Sequence, residues 1–183
     1  MIKDFSKVYV SGAGIPEYIN KLGEGTIGLE LGVWTGENFG YILQQCPGIK
    51  TLYGIDQYKP YQDWNRPITQ EMIDDVKRQA LENIEASGHK DKVILHEVSA
   101  VEGLSLIPDG SLDWIFVDGD HSYEHAKHDI TAYYSKVRSG GLFAVHDFSL
   151  PGVTRAVKEF REENNITEQI MFTSNDVWLW YKN

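Results

Sequence analysis

Two segments of the sequence run from apolar residues directly into acids and histidines. The first, LDWIFVDGDH, ends with Asp118 and His121, and the second, GGLFAVHD, ends with His146 and Asp147. Carboxylates and imidazoles bind cations, accept hydrogen bonds and move protons. Their place after buried residues predicts a site for a metal ion, or for a ligand that carries hydroxyl and ammonium groups.

Acidic residues stand at or near the ends of five predicted strands. They are Glu30, Asp56, Glu97, Asp118 and Asp147. In an open α/β sheet the carboxyl ends of parallel strands share one edge, and ligands bind there. One strand-end acid is commonly a helix cap or a turn former. Five acids on one edge repel each other unless a positive or hydrogen-bond-donating partner lies among them.

The elements that position these acids alternate between apolar strands and helices with one apolar face. Strands are predicted over residues 26–32, 51–56, 92–97, 111–118 and 140–147, helices over 37–46, 68–88, 99–107, 123–137 and 153–163, and a final hairpin over 168–172 and 176–182. This order predicts an α/β fold, Rossmann-like and doubly wound. Its mostly parallel seven-stranded sheet would end in a C-terminal antiparallel hairpin and carry helices on both faces.

The whole chain of 183 residues is predicted to be a single domain. Residues 1–25 read as an N-terminal helical segment that lies across the sheet. Residues 57–67 read as a loop whose aromatic side chains either pack it down or close it as a lid over a substrate. Those aromatic residues are Tyr58, Tyr61 and Trp64.

Composition and charge argue against several classes of partner. The formal net charge is −10, whereas a general binder of nucleic acid is expected to be basic. The first ten residues do not resemble a signal peptide, and the sequence has no apolar run of 18 residues that could span a membrane. A cytoplasmic protein is therefore expected. The single cysteine, Cys46, lies on a helical apolar face and is expected in the core.

The segment ELGVWTGEN places Gly32 and Gly36 between a strand and a helix. Glycine permits a tight turn and a close approach of a ligand to the backbone. The spacing is not the G-x-G-x-x-G of dinucleotide sites, which favours an uncharged or zwitterionic nucleoside over a pyrophosphate. Asp56 follows at a distance that suits a carboxylate bound to ribose hydroxyls. Ser99 either meets an adenine edge or caps a helix.

Together, the segments ELGVWTG, LYGID, LDWIFVDGDH and GGLFAVHD resemble the class I S-adenosylmethionine-dependent methyltransferases over nearly the whole chain. Within that class, VDGDHSYE and SGGLFAVHDFSLPGV look like a group of small O-methyltransferases, many of them metal-dependent. The resemblance implies methyl transfer from S-adenosylmethionine to a hydroxyl oxygen of a small molecule. The implied cofactor-binding residues are Glu30, Gly32, Val33, Trp34, Gly36, Asn38, Asp56, Gln57, Ser99 and Asp118.

The resemblance also implies a divalent metal held by Asp118, His146 and Asp147. His146 departs from the acid or amide that the family has there. Imidazole suits manganese, iron or zinc better than magnesium, so the identity of the metal stays open. His121 falls where catechol-type enzymes place a catalytic lysine, and histidine titrates in the range that suits a general base. His121 and Asp118 are therefore the candidate catalytic residues.

Three other functions stay open at this point. In a metal-independent methyltransferase, His121 or Asp118 would handle the proton or orient the acceptor. The domain can also be a binding module that holds the nucleoside without chemistry. The third is a metallohydrolase, because HSYEH matches H-x-x-E-H, a pattern that requires both histidines within one helix. His121 is instead expected at the exit of a strand.

Some side chains have more ordinary explanations. His125 and His128 fall opposite the apolar face of their helix and are expected to be solvated. Trp178 and Trp180 fit either a buried strand or a subunit interface, so a homo-oligomer also stays open.

Overall fold

The computed structural model describes residues 2–62, 66–173 and 175–183. Trp64 of the predicted lid and Ser174 of the predicted hairpin turn lie outside the described residues. None of the helices in the described ranges has the length and apolar character needed to cross a bilayer.

The main sheet has seven strands and the order β3-β2-β1-β4-β5-β7-β6. The strands are β1 (Thr26–Leu31), β2 (Ile49–Ile55), β3 (Val93–His96), β4 (Leu112–Val117), β5 (Val137–Val145), β6 (Met171–Phe172) and β7 (Trp178–Tyr181). The first five strands are parallel, and β7 runs antiparallel to both β5 and β6. The predicted fold class is confirmed. Strands β2 and β3 lie on one side of β1, and β4 and β5 lie on the other, so the strand order reverses at β1. This reversal creates a crevice at the carboxyl end of β1.

Helices cover both faces of this sheet. They are α1 (Pro16–Asn20), α2 (Glu37–Gln45), α3 (Gln70–Ala86), α4 (Ala100–Gly103), α5 (Tyr123–Tyr134) and α6 (Pro151–Glu163). Alternate residues of β4 face opposite sides of the sheet. Trp114 packs in the core with α1, α2 and α3, whereas Ile115 packs in the core with α5 and α6. Burial on both faces explains why the strand reads as a continuous apolar run.

Two predicted boundaries were wrong because Val137 fits both a helix and a strand. The predicted helix over 123–137 ends at Tyr134, and Val137 starts β5, where it pairs with Leu112 and is fully buried. The strand over 140–147 therefore begins earlier than predicted and ends at Val145, before the two site residues. The predicted helix over 99–107 is also too long, since α4 is a single turn.

The predicted loop over 57–67 contains short structure of its own. Tyr61–Gln62 pairs antiparallel with Pro67–Ile68. Tyr58 is buried and packs inward, which confirms one of the two interpretations for its side chain. Tyr61 is exposed at the edge of the crevice, and its closing over a substrate stays a prediction.

The cysteine and the two tryptophans of β7 are buried within the domain. Cys46, the C-cap of α2, is fully buried in the core as predicted, and burial raises the pKa of its thiol to about 12. Trp178 and Trp180 pack inside the sheet's own core, so they give no support to a subunit interface.

Candidate active site

The crevice at the carboxyl ends of β1, β2 and β4 opens into a cleft of about 1380 Å³. Most of the residues predicted for the site line this cleft: Glu30, Gly32, Val33, Trp34, Asn38, Asp56, Gln57, Ser99, Asp118, His121, His146 and Asp147. Gly36 is the exception, because it caps the start of α2 with a φ of 70° and packs against Ala80 of α3. Glycine is needed there for helix packing, and the prediction that Gly36 binds the cofactor has no support.

The glycine turn after β1 requires Gly32 for two reasons. Its φ is 88°, a conformation that other residues rarely adopt. A Cβ atom at this position would also lie 2.1 Å from the carbonyl oxygen of Asp118. The ends of β1 and β4 can approach this closely only because residue 32 has no side chain.

We expect Gly32→Ala to lower the free energy of unfolding by about 3 kcal/mol or more, because it combines backbone strain with a backbone clash. Gly110→Ala is the matched control, since Gly110 has a φ of 66° but nothing within 4 Å of an added Cβ. That control should lose only about 1 kcal/mol. Urea unfolding of both variants measures the difference, and equal losses would show that the contact with Asp118 is unimportant.

Asp56 ties the glycine turn to the end of β2. Its Oδ2 atom accepts hydrogen bonds from the backbone nitrogens of Val33 (3.0 Å) and Trp34 (2.9 Å). The Tyr58 hydroxyl donates to the carbonyl oxygen of Trp34 at 3.0 Å, which holds that residue at a φ of 50°. Asp56 therefore shapes the turn as well as lining the cleft, and its contact with a ribose stays a prediction.

Glu30 lies within β1 and is buried, with 1% of its surface exposed. Its Oε1 atom accepts a hydrogen bond from Asn38 Nδ2 at 2.9 Å, whereas Oε2 has no partner among the described residues. Burial raises the pKa of Glu30 well above its usual range, although the Asn38 bond acts in the opposite direction. A buried carboxylate oxygen without a partner fits the ammonium group of a methionine moiety.

A second group of polar side chains lies at the ends of β4 and β5. Ligand atoms of Asp118, His121 and Asp147 all lie within 4.8 Å of one another. His121 Nε2 is 2.8 Å from Asp147 Oδ2. His146 Nδ1 is 3.1 Å from both Asp118 Oδ1 and Asp147 Oδ2. The structure thus brings all four predicted residues together.

The protonation of this group follows from its pairing. Burial disfavours the charged form of His146, but the contacts with Asp118 and Asp147 outweigh burial and raise the pKa of His146 to about 10. Contact with Asp147 likewise raises the pKa of His121. Burial alone would raise the pKa of Asp147, yet the two histidines bring it well below its usual range.

The same group also fits a divalent cation. Both ring nitrogens of His146, and Asp147 Oδ2, are buried without a well-directed hydrogen bond to any described residue. Oppositely charged atoms lie within 3.1 Å of His146 Nδ1 and of Asp147 Oδ2. A set of imidazole nitrogens and carboxylate oxygens is a common ligand set for manganese, iron and zinc. The geometry favours Asp118, His121 and Asp147 as ligands, so His121 joins the predicted ligand set, and the role of His146 as a ligand stays a prediction.

Other predicted residues lie at or beyond the edge of the cleft. Glu97 does not line it and pairs with Lys77 at 2.5 Å, so the strand-end acids do not all meet at one site. Ser99 lines the cleft and is also the N-cap of α4, in a reciprocal capping box with Glu102. Its contact with adenine stays a prediction.

The histidines of HSYEH do not share a helix. His121 precedes α5, whereas His125 lies inside it. The metallohydrolase interpretation therefore has no structural support. His125 and His128 are exposed as expected, although both reach the wall of the cleft.

Sequence reasoning missed Ser11. Its Oγ donates a hydrogen bond to Asp118 Oδ2 at 2.7 Å, across 107 positions of the chain. No local motif marks such a contact, because it depends on where the segment before β1 lies in the folded domain.

Residues 29–148 match a family model described as a methyltransferase domain. The chain belongs to this methyltransferase family. The predicted class of S-adenosylmethionine-dependent methyltransferases is thereby confirmed, and the glycine turn, Asp56 and the β4 and β5 ends all lie within the matched region. No curated protein has a significantly similar sequence.

Several solved structures share the fold. The O-methyltransferase NovP is 21% identical, with a TM-score of 0.66 over 92% of this chain and 79% of that one. Cofactor-bound Rv0187 from MTB is 16% identical, with a TM-score of 0.69 over 97% and 84% of the two chains. TomG from Streptomyces achromogenes, an O-methyltransferase in complex with SAM, is 14% identical, with a TM-score of 0.66 over 100% and 92%.

Proposed function

We propose that this methyltransferase transfers a methyl group from S-adenosylmethionine to a hydroxyl oxygen of a small molecule, with a divalent cation held by Asp118, His121 and Asp147. The observation that carries the proposal is the convergence of these three side chains in the cleft that also contains Glu30 and the glycine turn. The O-methyltransferases NovP and TomG, which share the fold, support oxygen as the acceptor atom.

The cofactor half of the cleft binds and orients the methyl donor. Glu30 Oε2 is available to an ammonium group, and the turn at Gly32 lets the backbone approach the ligand. Asp56 is available to the ribose, and Gln57 and Ser99 continue the wall toward the base. S-adenosylmethionine supplies an electrophilic sulfonium methyl, so the protein's task is to align that methyl with the acceptor oxygen.

The other half of the cleft prepares the acceptor. A divalent cation bound there would fix the acceptor hydroxyl and lower its pKa, so that its proton could pass to solvent water. The oxygen would then take the methyl and leave S-adenosylhomocysteine. Asp118 and Asp147 supply negative charge for the ion, and His121 supplies a nitrogen ligand. His146 Nδ1 lies within 3.1 Å of both carboxylates and holds them in place.

One observation favours a second candidate, a metal-independent methyltransferase. His121 Nε2 lies 2.8 Å from Asp147 Oδ2, and 44% of the His121 side chain is exposed to the cleft. A histidine oriented by a carboxylate is a general base, so His121 would take the acceptor proton and Asp147 would stabilise the charged imidazole.

Calorimetry and a methyl-transfer assay separate the two candidates. We expect chelator-treated protein to bind S-adenosylhomocysteine, to bind Mn²⁺ with a stoichiometry of about one, and to methylate a catechol only after Mn²⁺ is added. Methyl transfer that persists in excess chelator would contradict the cation and support His121 as base. Failure to bind S-adenosylhomocysteine would contradict the placement of the cofactor.

A further inference from the structure

A short segment before β1 closes one side of the cleft. We call residues 9–13 the N-terminal strap. It lies outside residues 29–148, which match the family model, so the family assignment gives it no role. Val10 and Gly12 are buried, and Ser11 between them lines the cleft.

Three side chains from the body of the domain hold the backbone of the strap. Asn175 Nδ2 donates to the Val10 carbonyl oxygen (3.0 Å), the Gly12 nitrogen donates to Asn38 Oδ1 (2.9 Å), and the Tyr41 hydroxyl donates to the Ala13 carbonyl oxygen (3.1 Å). The backbone is therefore fixed on both sides of Ser11, and the position of the Ser11 hydroxyl is defined by these bonds.

Ser11 reaches the Asp118 carboxylate from the side opposite His146. Ser11 Oγ donates to Oδ2 at 2.7 Å, whereas His146 Nδ1 lies 3.1 Å from Oδ1. The Asp118 side chain is 18% exposed. Its two oxygens are thus held by different elements, which restricts rotation of the carboxylate about its last bond.

We propose that Ser11 is a positioning residue for the cation site, and that its hydroxyl fixes the orientation in which Asp118 presents its carboxylate. This inference rests on the proposed cation at Asp118, His121 and Asp147. A hydrogen-bonding partner that orients a metal ligand typically contributes a factor of about 10 to 100 in metal affinity. Ser11 has the geometry of such a partner.

The neighbouring residue acts on the other half of the cleft. The Gly12 nitrogen donates to Asn38 Oδ1, and Asn38 Nδ2 donates to Glu30 Oε1. A Cβ atom at Gly12 would lie 2.5 Å from Asn38 Oδ1, so Gly12→Ala must displace the amide that orients Glu30. Substitutions at the adjacent positions 11 and 12 should therefore weaken the binding of different ligands, the cation in one case and the nucleoside in the other.

The test measures binding in the full chain. Mn²⁺ affinity is obtained from the electron paramagnetic resonance of free Mn²⁺, and S-adenosylhomocysteine affinity from calorimetry. We expect Ser11→Ala to raise the Kd for Mn²⁺ about tenfold or more, with the S-adenosylhomocysteine Kd changed less than about twofold. Ser11→Thr, which keeps the hydroxyl, should bind Mn²⁺ like the parent. Gly12→Ala should weaken S-adenosylhomocysteine more than Mn²⁺.

Each result supports or overturns the inference. If the parent binds Mn²⁺ and Ser11→Ala binds it equally well, Ser11 does not position Asp118, while the proposed function stands. A Ser11→Thr variant as weak as Ser11→Ala would also overturn the role of the hydroxyl. If the parent itself binds no Mn²⁺, the proposed cation fails and the role of Ser11 fails with it. Should Ser11→Ala not fold, Ser11→Gly also removes the hydroxyl, and a Kd for Mn²⁺ equal to that of the parent would overturn the inference in the same way.

Discussion

Replacement of Asp147 by asparagine is expected to lower the rate of methyl transfer by about a thousandfold. A bound cation contributes several kcal/mol to stabilisation of a transition state, and each factor of ten in rate corresponds to about 1.4 kcal/mol. Asparagine is preferred over alanine because residue 147 has a φ of 61°, which asparagine tolerates. The variant keeps the backbone and loses the charge that faces His121 and His146.

The measurement has two parts, the rate with saturating Mn²⁺ and the affinity for S-adenosylhomocysteine. We expect the affinity to change by less than about threefold, since Asp147 lies in the acceptor half of the cleft. Glu97→Gln is the control, because Glu97 also follows a strand of the same sheet but pairs with Lys77 outside the cleft. Loss of cofactor affinity in Asp147→Asn would show that Asp147 has a structural role instead.

Glu30→Gln should weaken S-adenosylhomocysteine binding by about a hundredfold. Glutamine can still accept the hydrogen bond from Asn38, but its amide group would then occupy the place of the unpartnered Oε2. Loss of one partner from a buried charged pair costs about 2 to 5 kcal/mol. Calorimetry measures the change, and an unaltered Kd would contradict the assignment of Glu30 to the ammonium group.

In the ligand-free protein, the same variant should be favourable, because it removes a loss of stability that the parent suffers as the pH rises to neutrality. Because burial raises the pKa of Glu30 in the folded state, protonation of this group stabilises the fold below the pKa of the unfolded chain, about 4.3. That contribution is lost as the pH rises through the raised pKa. Glutamine does not titrate, so the variant should lose less stability than the parent as the pH rises from about 4.5 to about 8, and urea unfolding measures the difference. If the free energy of unfolding changed equally with pH in the parent and in Glu30→Gln, the raised pKa of Glu30 would be contradicted.

The sequence patterns predict the sheet well, because strands buried on both faces read as apolar runs that end at polar residues. Glu30, Asp56, Asp118 and Asp147 therefore appear at or near strand ends, and the structure places all of them in one cleft. The same logic fails for Glu97, because a strand end fixes the position of a residue and leaves open which way its side chain turns.

What the patterns miss depends on packing between distant segments. Val137 is apolar in either a helical or an extended register, and only its pairing with Leu112 assigns it to β5. Which of His121 and His146 joins Asp118 and Asp147 as a cation ligand depends on the path of the loop after β4. Ser11 carries no motif, since serine becomes informative only when the strap places it beside Asp118.

The bonds that hold the strap imply an order of assembly. Val10 is fixed by Asn175, a residue 165 positions further along the chain, and Ser11 meets an aspartate 107 positions away. Closing such long loops costs entropy that only a nearly complete sheet can offset. The bonds of the strap to Asn38 and Tyr41 need only α2, whereas its bond from Asn175 can form only after the C-terminal hairpin has formed. The ability to bind both Mn²⁺ and S-adenosylhomocysteine should therefore appear late in refolding, after most of the helical signal has returned.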